Sequence, residues 1–224
     1  MRTRRMVVAA TMSAAGVGVA LAPTMAQASM GTAMVSVVHG IPKVPVDIYV
    51  NNKLTLKHFV FDKVAGPLSL PAGTYNLTVR PAGAKMSTAP ILKASLKVVA
   101  GENATVIAHL TAKGTPTLQA FADPTTMLAM GKARIIVRHL AAAPGVDVYA
   151  GMTKVVKNLT NGHQAILVIP AGKVSISVDV AGTKKVVIGP ASFTFAAGTT
   201  TIVNAVGSAA TMPSSLTVAV QSYK

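Results

Sequence analysis

The chain has 224 residues, no cysteine, no tryptophan and a formal net charge of +15 at pH 7. The absence of cysteine excludes disulfides and a cysteine nucleophile, and the 4% aromatic content counts against an aromatic carbohydrate-binding platform. The positive charge is spread along the chain without a block of like charges or a nucleic-acid-binding motif, so we expect no nucleic-acid partner.

Residues 1–28 predict a secretory signal peptide. Its parts are a basic start, an apolar stretch and a cleavage site, namely Arg2, Arg4 and Arg5, residues 6–25, and Ala28 before Ser29. The alternative is an uncleaved membrane anchor, which the mildly apolar Ala, Gly and Thr content disfavours. Paired arginines also fit a twin-arginine signal, so the export route stays open. We expect an exported bacterial protein, secreted or associated with the cell envelope, with no transmembrane span in the mature chain.

After residue 30 the sequence predicts β-strands, because short runs of Val, Ile, Leu and Thr alternate with Gly, Pro and Asn. The first set of predicted strands covers 35–39, 46–50, 54–59, 68–70, 75–80, 91–99, 104–110 and 117–121. A second set in the same order covers 133–139, 146–150, 154–159, 165–169, 174–180, 185–195, 200–206 and 216–220.

The two sets are copies of one unit. VVHGIPKVPVDIYV at 37–50 reappears as VRHLAAAPGVDVYA at 137–150, and a Pro-Ala-Gly turn follows in each copy. The repeated residues are His39, Asp47, Tyr49, Pro71 and Gly73 in the first copy, and His139, Asp147, Tyr149, Pro170 and Gly172 in the second. Because Pro fixes φ and Gly accepts positive φ, we interpret the Pro-Ala-Gly segments as tight turns between strands.

Seven or eight short strands in about ninety residues favour a sandwich of immunoglobulin type over a barrel. The predicted fold is therefore all-β, with two tandem immunoglobulin-like antiparallel β-sandwich units. The units are expected at 29–122 and 133–224, with a short linker at 123–132. We expect the units to be docked, with Met127, Leu128 and Met130 packed between them.

The first unit resembles the secreted bacterial family DUF4397. The resemblance lies in the His-containing segment 37–50, the Asn-Asn-Lys hairpin at 51–53 and LSLPAGTYNLTVRPAG at 68–83. The resemblance covers most of 35–121 and is fainter over 134–220. It implies a β-sandwich exported to the cell surface or beyond, and it implies no assigned activity. Members often carry an acidic residue after the first proline of the segment 37–50, where this chain has Lys43.

The His39/Asp47 and His139/Asp147 pairs have a structural and a functional interpretation. In the structural one, each side chain satisfies the other or the amides of a neighbouring loop. In the functional one, the pairs belong to a hydrolase or a metal site. The nearest serine, Ser36, lies on the opposite strand face, and one His with one Asp is too few for zinc. We predict no catalytic, metal or cofactor site, and we expect His58, His109 and His163 at the surface or at sheet edges.

The sequence therefore predicts an exported non-enzymatic interaction or structural module of the cell envelope. An anionic cell-wall polymer or another envelope protein is the expected partner. The hydrolase or metal-binding protein remains the alternative, and a purely structural component of a larger surface assembly is a third possibility.

Overall fold

The computed structural model describes residues 31–224, and every regular element in that range is a β-strand. This confirms the all-β prediction. Within the same range no helix is long and apolar enough to cross a membrane. The predicted signal peptide, with its cleavage site at Ala28 and Ser29, lies outside the described residues.

Eight strands form the first unit. They are β1 (Thr32–His39), β2 (Val46–Val50), β3 (Lys53–Phe59), β4 (Val64–Pro71), β5 (Gly73–Pro81), β6 (Leu92–Val98), β7 (Asn103–Leu110) and β8 (Pro116–Asp123). Sheet A has the order β4-β1-β7-β8, and sheet B has the order β3-β2-β5-β6. The two sheets make a sandwich.

The second unit repeats this arrangement strand for strand. Its strands are β9 (Lys132–His139), β10 (Val146–Ala150), β11 (Thr153–Leu159), β12 (His163–Pro170), β13 (Gly172–Val180), β14 (Val186–Phe195), β15 (Thr200–Val206) and β16 (Thr217–Tyr223). Sheet C has the order β12-β9-β15-β16, and sheet D has the order β11-β10-β13-β14. Two tandem sandwich units are therefore confirmed.

One strand pair in each unit is parallel. Strand β1 pairs with β7 from Met34↔Asn103 to His39↔Ala108, and β9 pairs with β15 in the equivalent register. All other pairings are antiparallel. The first strand of each unit therefore lies in the middle of its sheet, which places His39 and His139 well inside the molecule.

Alternating apolar residues fill each sandwich, as expected for two sheets that face each other. In the first unit Val35, Val46, Ile48, Val79 and Val106 are buried between sheets A and B. The equivalent cluster of the second unit consists of Ala133, Ile135, Val137, Val146, Val148, Leu159 and Phe195. Burying each of the larger side chains stabilises the fold by roughly 1.5–3 kcal/mol.

A third core joins the two units. Sheets A and C pack through their outward faces, and Val38, Ile107 and Phe121 of the first unit meet the second unit. The facing residues are Leu140, Val206 and Ala219. Gly40 makes room for this contact, because a Cβ there would lie 2.8 Å from Cγ1 of Val206.

The expected packing of the linker methionines between the units is wrong. Met127 is 98% exposed and Met130 is 100% exposed, while Leu128 is half-buried. The sheet faces supply the apolar contact instead, so the connecting segment 124–131 runs over the surface. Arg134 holds this segment by donating to the carbonyl oxygens of Pro124, at 3.1 Å, and of Thr126, at 3.0 Å.

Candidate functional site

The two repeated histidines hold the loop that follows their own strand. Nε2–H of His39 donates to the carbonyl oxygen of Val44 at 2.8 Å. Nε2–H of His139 donates in the same way to Pro144, also at 2.8 Å. In the described chain nothing hydrogen-bonds to Nδ1 of either ring. Each imidazole therefore fixes the turn that leads from sheet A to sheet B, or from sheet C to sheet D.

Both imidazoles are buried, and burial lowers the pKa of each ring below its ordinary value. The hydrogen bonds to the loop carbonyls oppose this effect only in part, and the nearby His109 lowers the pKa of His139 further. At neutral pH both rings are neutral with the proton on Nε2, the form that the loop carbonyls require.

The repeated aspartates bind amides, not the histidines. Oδ1 of Asp47 accepts from the backbone N–H of His58 at 2.8 Å, and Oδ2 accepts from Gly83 at 2.9 Å. In the second unit, Oδ1 of Asp147 accepts from the backbone N–H of Asn158 at 2.8 Å. Each carboxylate thus ties its own strand to an edge strand.

A β-bulge explains why the carboxylate is needed there. Val46 pairs with Phe59 and Ile48 pairs with Leu56, so β3 carries one residue more than β2 across this step. The extra length places His58 at φ +51°, which turns its amide away from the ladder and toward Asp47. A bulge leaves one residue unpaired, and here the aspartate supplies the missing acceptor.

The second unit has the same bulge with an added ion pair. Asn158 has φ +48° at the equivalent position. Oδ2 of Asp147 accepts from Nζ of Lys154 at 2.6 Å and from the backbone N–H of Gly182 at 3.3 Å. Nζ of Lys154 also lies 5.5 Å from the ring centroid of Tyr149, which is half-buried on the outer face of sheet D.

These contacts keep both carboxylates ionised. Burial raises the pKa of Asp47, but the amides of His58 and Gly83, together with Lys57, outweigh it and leave the pKa below its ordinary value. Lys154 and the amide of Asn158 lower the pKa of Asp147 to about 2. Hydrogen bonds to the charged form have this effect in general.

The two His–Asp pairs do not have the geometry of a catalytic pair. The histidine bonds to a loop carbonyl and the aspartate to amides, so the pair is not the hydrogen-bonded His–Asp unit of a hydrolase. Across residues 31–224 no group of three or more His, Asp or Glu side chains could hold a metal ion. Ser36 lies on the opposite face of β1 from His39, as the spacing predicted.

The Pro-Ala-Gly turns connect different sheets. Only Ala72 separates β4 from β5, and only Ala171 separates β12 from β13. The amide of Ala171 donates to the carbonyl oxygen of Gly131 at 2.8 Å. Gly172 has φ +144°, while Gly73, at +159°, is almost extended. Pro71 accepts a hydrogen bond from the Tyr75 hydroxyl at 2.8 Å. The turns thus carry the chain from one layer of the sandwich to the other.

The predicted surface position of His109 is wrong. This side chain is 1% exposed and lies between the two units. Its ring nitrogens are 3.0 Å from the Leu110 carbonyl oxygen and 3.3 Å from Oε1 of Gln119. Gln119 in turn donates to the carbonyl oxygen of Gly162 in the second unit at 2.9 Å. His58 and His163 are exposed, as predicted.

The sequence analysis also missed a polar network between the units. Arg138, whose side chain is fully buried, forms an ion pair with Asp123 and lies 4.4 Å above the Phe121 ring. Thr105 donates to Oδ2 of Asp123 at 2.6 Å and accepts from Gln221 at 2.6 Å. The signal for this network is the run of apolar residues in β7 and β9, which indicates strands covered on both faces.

These features define a protein of two docked β-sandwich units in which the duplicated polar residues hold loops and bulges. The family model described as "Domain of unknown function (DUF4397)" matches residues 33–149, so the chain belongs to this family. This confirms the resemblance noted in the sequence. The match covers the first unit and continues to the end of the His–Asp–Tyr segment of the second.

Two further comparisons add little. No curated protein matches the chain. Among solved structures, "The Bacillus anthracis TIE protein" is similar at 11% sequence identity, with a TM-score of 0.25. That similarity covers 78% of this chain and 50% of the other, so the chain spans about half the length of that structure.

Proposed function

We propose that this protein is an exported, non-enzymatic binding module that holds an anionic polymer of the cell envelope against a lysine-covered surface. Export is inferred from the predicted signal peptide. The absence of catalysis is inferred from His39, Asp47, His139 and Asp147, because the hydrogen bonds of all four hold loops and bulges in place.

The observation that carries the proposal is the separation of charge between interior and surface. All fifteen lysines are exposed or half-buried. Four of the six acidic residues, Asp47, Asp123, Asp147 and Asp179, are buried. The three arginines of the described chain, Arg80, Arg134 and Arg138, are buried too. Only Asp62 and Glu102 remain to offset the lysines at the surface, so the field around the protein is strongly positive.

Such a surface fits a long flexible polyanion. Lysine is a point charge on a flexible stem, whereas arginine is the residue that recognises phosphate with two fixed bonds. An exterior of dispersed lysines therefore attracts negative charge without selecting one geometry. A repeating anionic polymer is the partner that uses many such weak contacts at once, because multivalency adds their strengths.

Lysines on edge strands also have a structural use. Lys53 and Lys57 lie on β3, and Lys93 and Lys97 lie on β6, and each of these strands is the edge of sheet B. Charged side chains at such edges prevent pairing with other molecules. Glutamate would protect an edge equally well, but it would repel a polyanion, so charge reversal separates the two roles.

The test is co-sedimentation of the mature protein with purified bacterial cell walls, before and after chemical removal of their phosphodiester polymers. We expect binding to untreated walls at 0.1 M salt and its loss at 1 M salt. Over this range the Debye length falls from about 10 Å to about 3 Å. Stripped walls should bind much less protein at either salt concentration.

Charge reversal locates the interaction. The variant Lys93→Glu/Lys97→Glu changes sheet B, and Lys184→Glu/Lys185→Glu changes a loop of the second unit by the same amount of charge. We expect both to weaken binding, and the matched Lys→Arg variants to retain it. Binding that survives 1 M salt, or that ignores both reversals, would overturn the proposal and favour a specific envelope protein as the partner.

A further inference from the structure

The second sandwich is incompletely filled. A cavity of about 370 Å³, here called the slot, lies between sheets C and D. Its walls come from the inward faces of both sheets, and the residues that line it are Ile135, Val137, Val148, Ala150, Val155, Leu167, Ile169, Pro170, Ala171, Gly172, Lys173, Val174, Ile176, Val178, Ile188, Ala191, Phe193, Phe195, Val203 and Val218. Lys173 is the only one of these with a polar side chain, and by strand alternation that side chain belongs to the outer face of sheet D.

The incomplete burial of several core-facing side chains shows that this cavity is open to solvent. Leu167, Ile169, Val174 and Ile176 belong to the apolar cluster of the second unit but are only half-buried. Protein interiors normally pack as densely as organic crystals, with few voids larger than a water molecule. The slot reaches the surface at the turn 170–172, where Pro170 and Gly172 are exposed.

The first unit allows a residue-by-residue comparison. Its equivalent cavity is only about 180 Å³. Tyr75 packs there against the apolar cluster and donates its hydroxyl hydrogen to Pro71, whereas the second unit has Val174 at this position. Three further inward positions have smaller residues in the second unit, namely Ile48 to Val148, Val50 to Ala150 and Leu118 to Val218. Three others have larger ones, namely Val35 to Ile135, Leu96 to Phe193 and Val98 to Phe195.

The shape and lining of the slot select the ligand. Facing sheets stand only about 10 Å apart, so the ligand must be thin. The lining follows β13 from Gly172 to Val178, about 20 Å at roughly 3.3 Å per residue, so the ligand is long. The side chains that line it offer no hydrogen bonds, which excludes a peptide, because its backbone amides would be left unpaired.

Volume supports a ligand of this kind. An apolar cavity of about 150 Å³ stays dry and binds benzene, and established ligand sites are about 300–1,000 Å³. The slot of the second unit falls within that range, and the cavity of the first unit falls below it.

We propose that the second sandwich binds one aliphatic chain of an amphiphile between sheets C and D, with its polar head outside the turn at Pro170–Gly172. This function is independent of the proposed binding of anionic polymers, which uses the lysines of the surface. The aliphatic chain has two sources, a free fatty acid or the acyl chain of a membrane lipid.

The test uses cis-parinaric acid, a fluorescent polyene fatty acid, with the delipidated mature protein. We expect saturable binding and displacement by palmitic acid. Val174→Tyr restores the residue of the first unit and should weaken binding at least tenfold. The double variant Val148→Ile/Val218→Leu fills the slot by smaller steps and should weaken binding less. The reciprocal change, Tyr75→Val, should add a second binding site in the first unit.

Thermal melting establishes that each variant is folded before binding is measured. Vesicles of zwitterionic phosphatidylcholine, which do not attract the lysines, separate the two sources. Co-sedimentation with them indicates a lipid acyl chain, and binding of parinaric acid without co-sedimentation indicates a free fatty acid. The proposal is overturned if the wild-type protein shows no saturable binding. It is also overturned if folded Val174→Tyr and the folded double variant both bind parinaric acid as well as the wild type.

Discussion

The ion pair between Asp123 and Arg138 makes a sharp prediction about how the two units are held together. Asp123 ends β8 of the first unit, and Arg138 lies in β9 of the second. The exposed fractions of the two side chains are 4% and 0%. Arg138 also donates from Nε to Oε1 of Gln164 at 2.9 Å. The pair is therefore buried between the two units, where water screens it only weakly.

Asp123→Ala should destabilise the protein by about 3–5 kcal/mol, because it leaves a fully buried guanidinium charge without its counter-charge. The same substitution removes the acceptor for Thr105, whose oxygen is the acceptor for Gln221. The loss therefore falls on contacts between the units more than on either sandwich core.

Urea denaturation followed by circular dichroism measures this effect. With an m-value of about 2 kcal/mol/M, a loss of about 4 kcal/mol lowers the midpoint by about 2 M. The matched control is Asp62→Asn, because Asp62 forms an exposed ion pair with Lys63 at 3.2 Å and asparagine tolerates its φ of +66°. Exposed pairs of this kind contribute about 0–1 kcal/mol, so the control should hardly shift the midpoint.

The double variant Asp123→Leu/Arg138→Met distinguishes the loss of a counter-charge from the loss of packing between the units. Replacing both partners by apolar residues removes the desolvated charges together, and in comparable cases this is neutral or stabilising. We expect the double variant to be more stable than Asp123→Ala alone. An Asp123→Ala variant within about 0.5 kcal/mol of the wild type, or one no less stable than Asp62→Asn, would contradict this prediction.

Three further predictions concern the loops and bulges. Burial lowers the pKa of His39, His109 and His139, so below about pH 6.5 the unfolded chain binds more protons than the folded one. Stability should therefore be complete above that pH and should decline as the pH falls, by up to about 1.4 kcal/mol per pH unit for each ring; a urea midpoint that is flat between pH 8 and pH 5 would contradict this. Gly66→Ala should cost roughly 3 kcal/mol in free energy of unfolding, because φ is +103° and a Cβ would lie 2.8 Å from the carbonyl oxygen of Val35. The control Gly101→Ala, at φ +78° in open space, should cost about 1 kcal/mol, and equal losses would exclude the steric contribution. Asp47→Ala should destabilise by roughly 1–3 kcal/mol because two half-buried amides lose their acceptor, with Asp47→Asn intermediate; the opposite order of melting temperatures would show that the bulge does not need the carboxylate.

The strand pattern and the duplication could be predicted from the sequence because both are local. Alternation within Gly73–Pro81 identifies a strand without reference to any distant residue, and so does the Pro-Ala-Gly turn before it. The hydrogen bonds of Asp47 to the neighbouring backbone amides could not be predicted from the sequence in this way. They depend on a bulge that places residue 58 opposite residue 47, and the register of an edge strand is a tertiary property.

The interface could not be predicted from single residues. In the sequence His109 is an isolated histidine near a strand end, yet six consecutive residues of β7 are buried and so are seven of β9. Strands of that kind are covered on both faces, as in sheets buried within a molecule. The methionines of the linker were expected to pack because they are apolar, but a short segment crossing the surface gives them nothing to pack against.

Divergence between the two copies explains both the docking and the slot. At equivalent outward positions the first unit has Val38 and Phe121, where the second has Arg138 and Gln221. Two identical faces would place equivalent residues of the two units against each other. Because the faces have diverged, the buried Arg138 lies over the Phe121 ring and forms an ion pair with Asp123. At one inward position the first unit has Tyr75 where the second has Val174, and the cavity is about 180 Å³ in the first unit and about 370 Å³ in the second. One duplicated framework thus yields two sandwiches that differ in their docking faces and in the space left between their sheets.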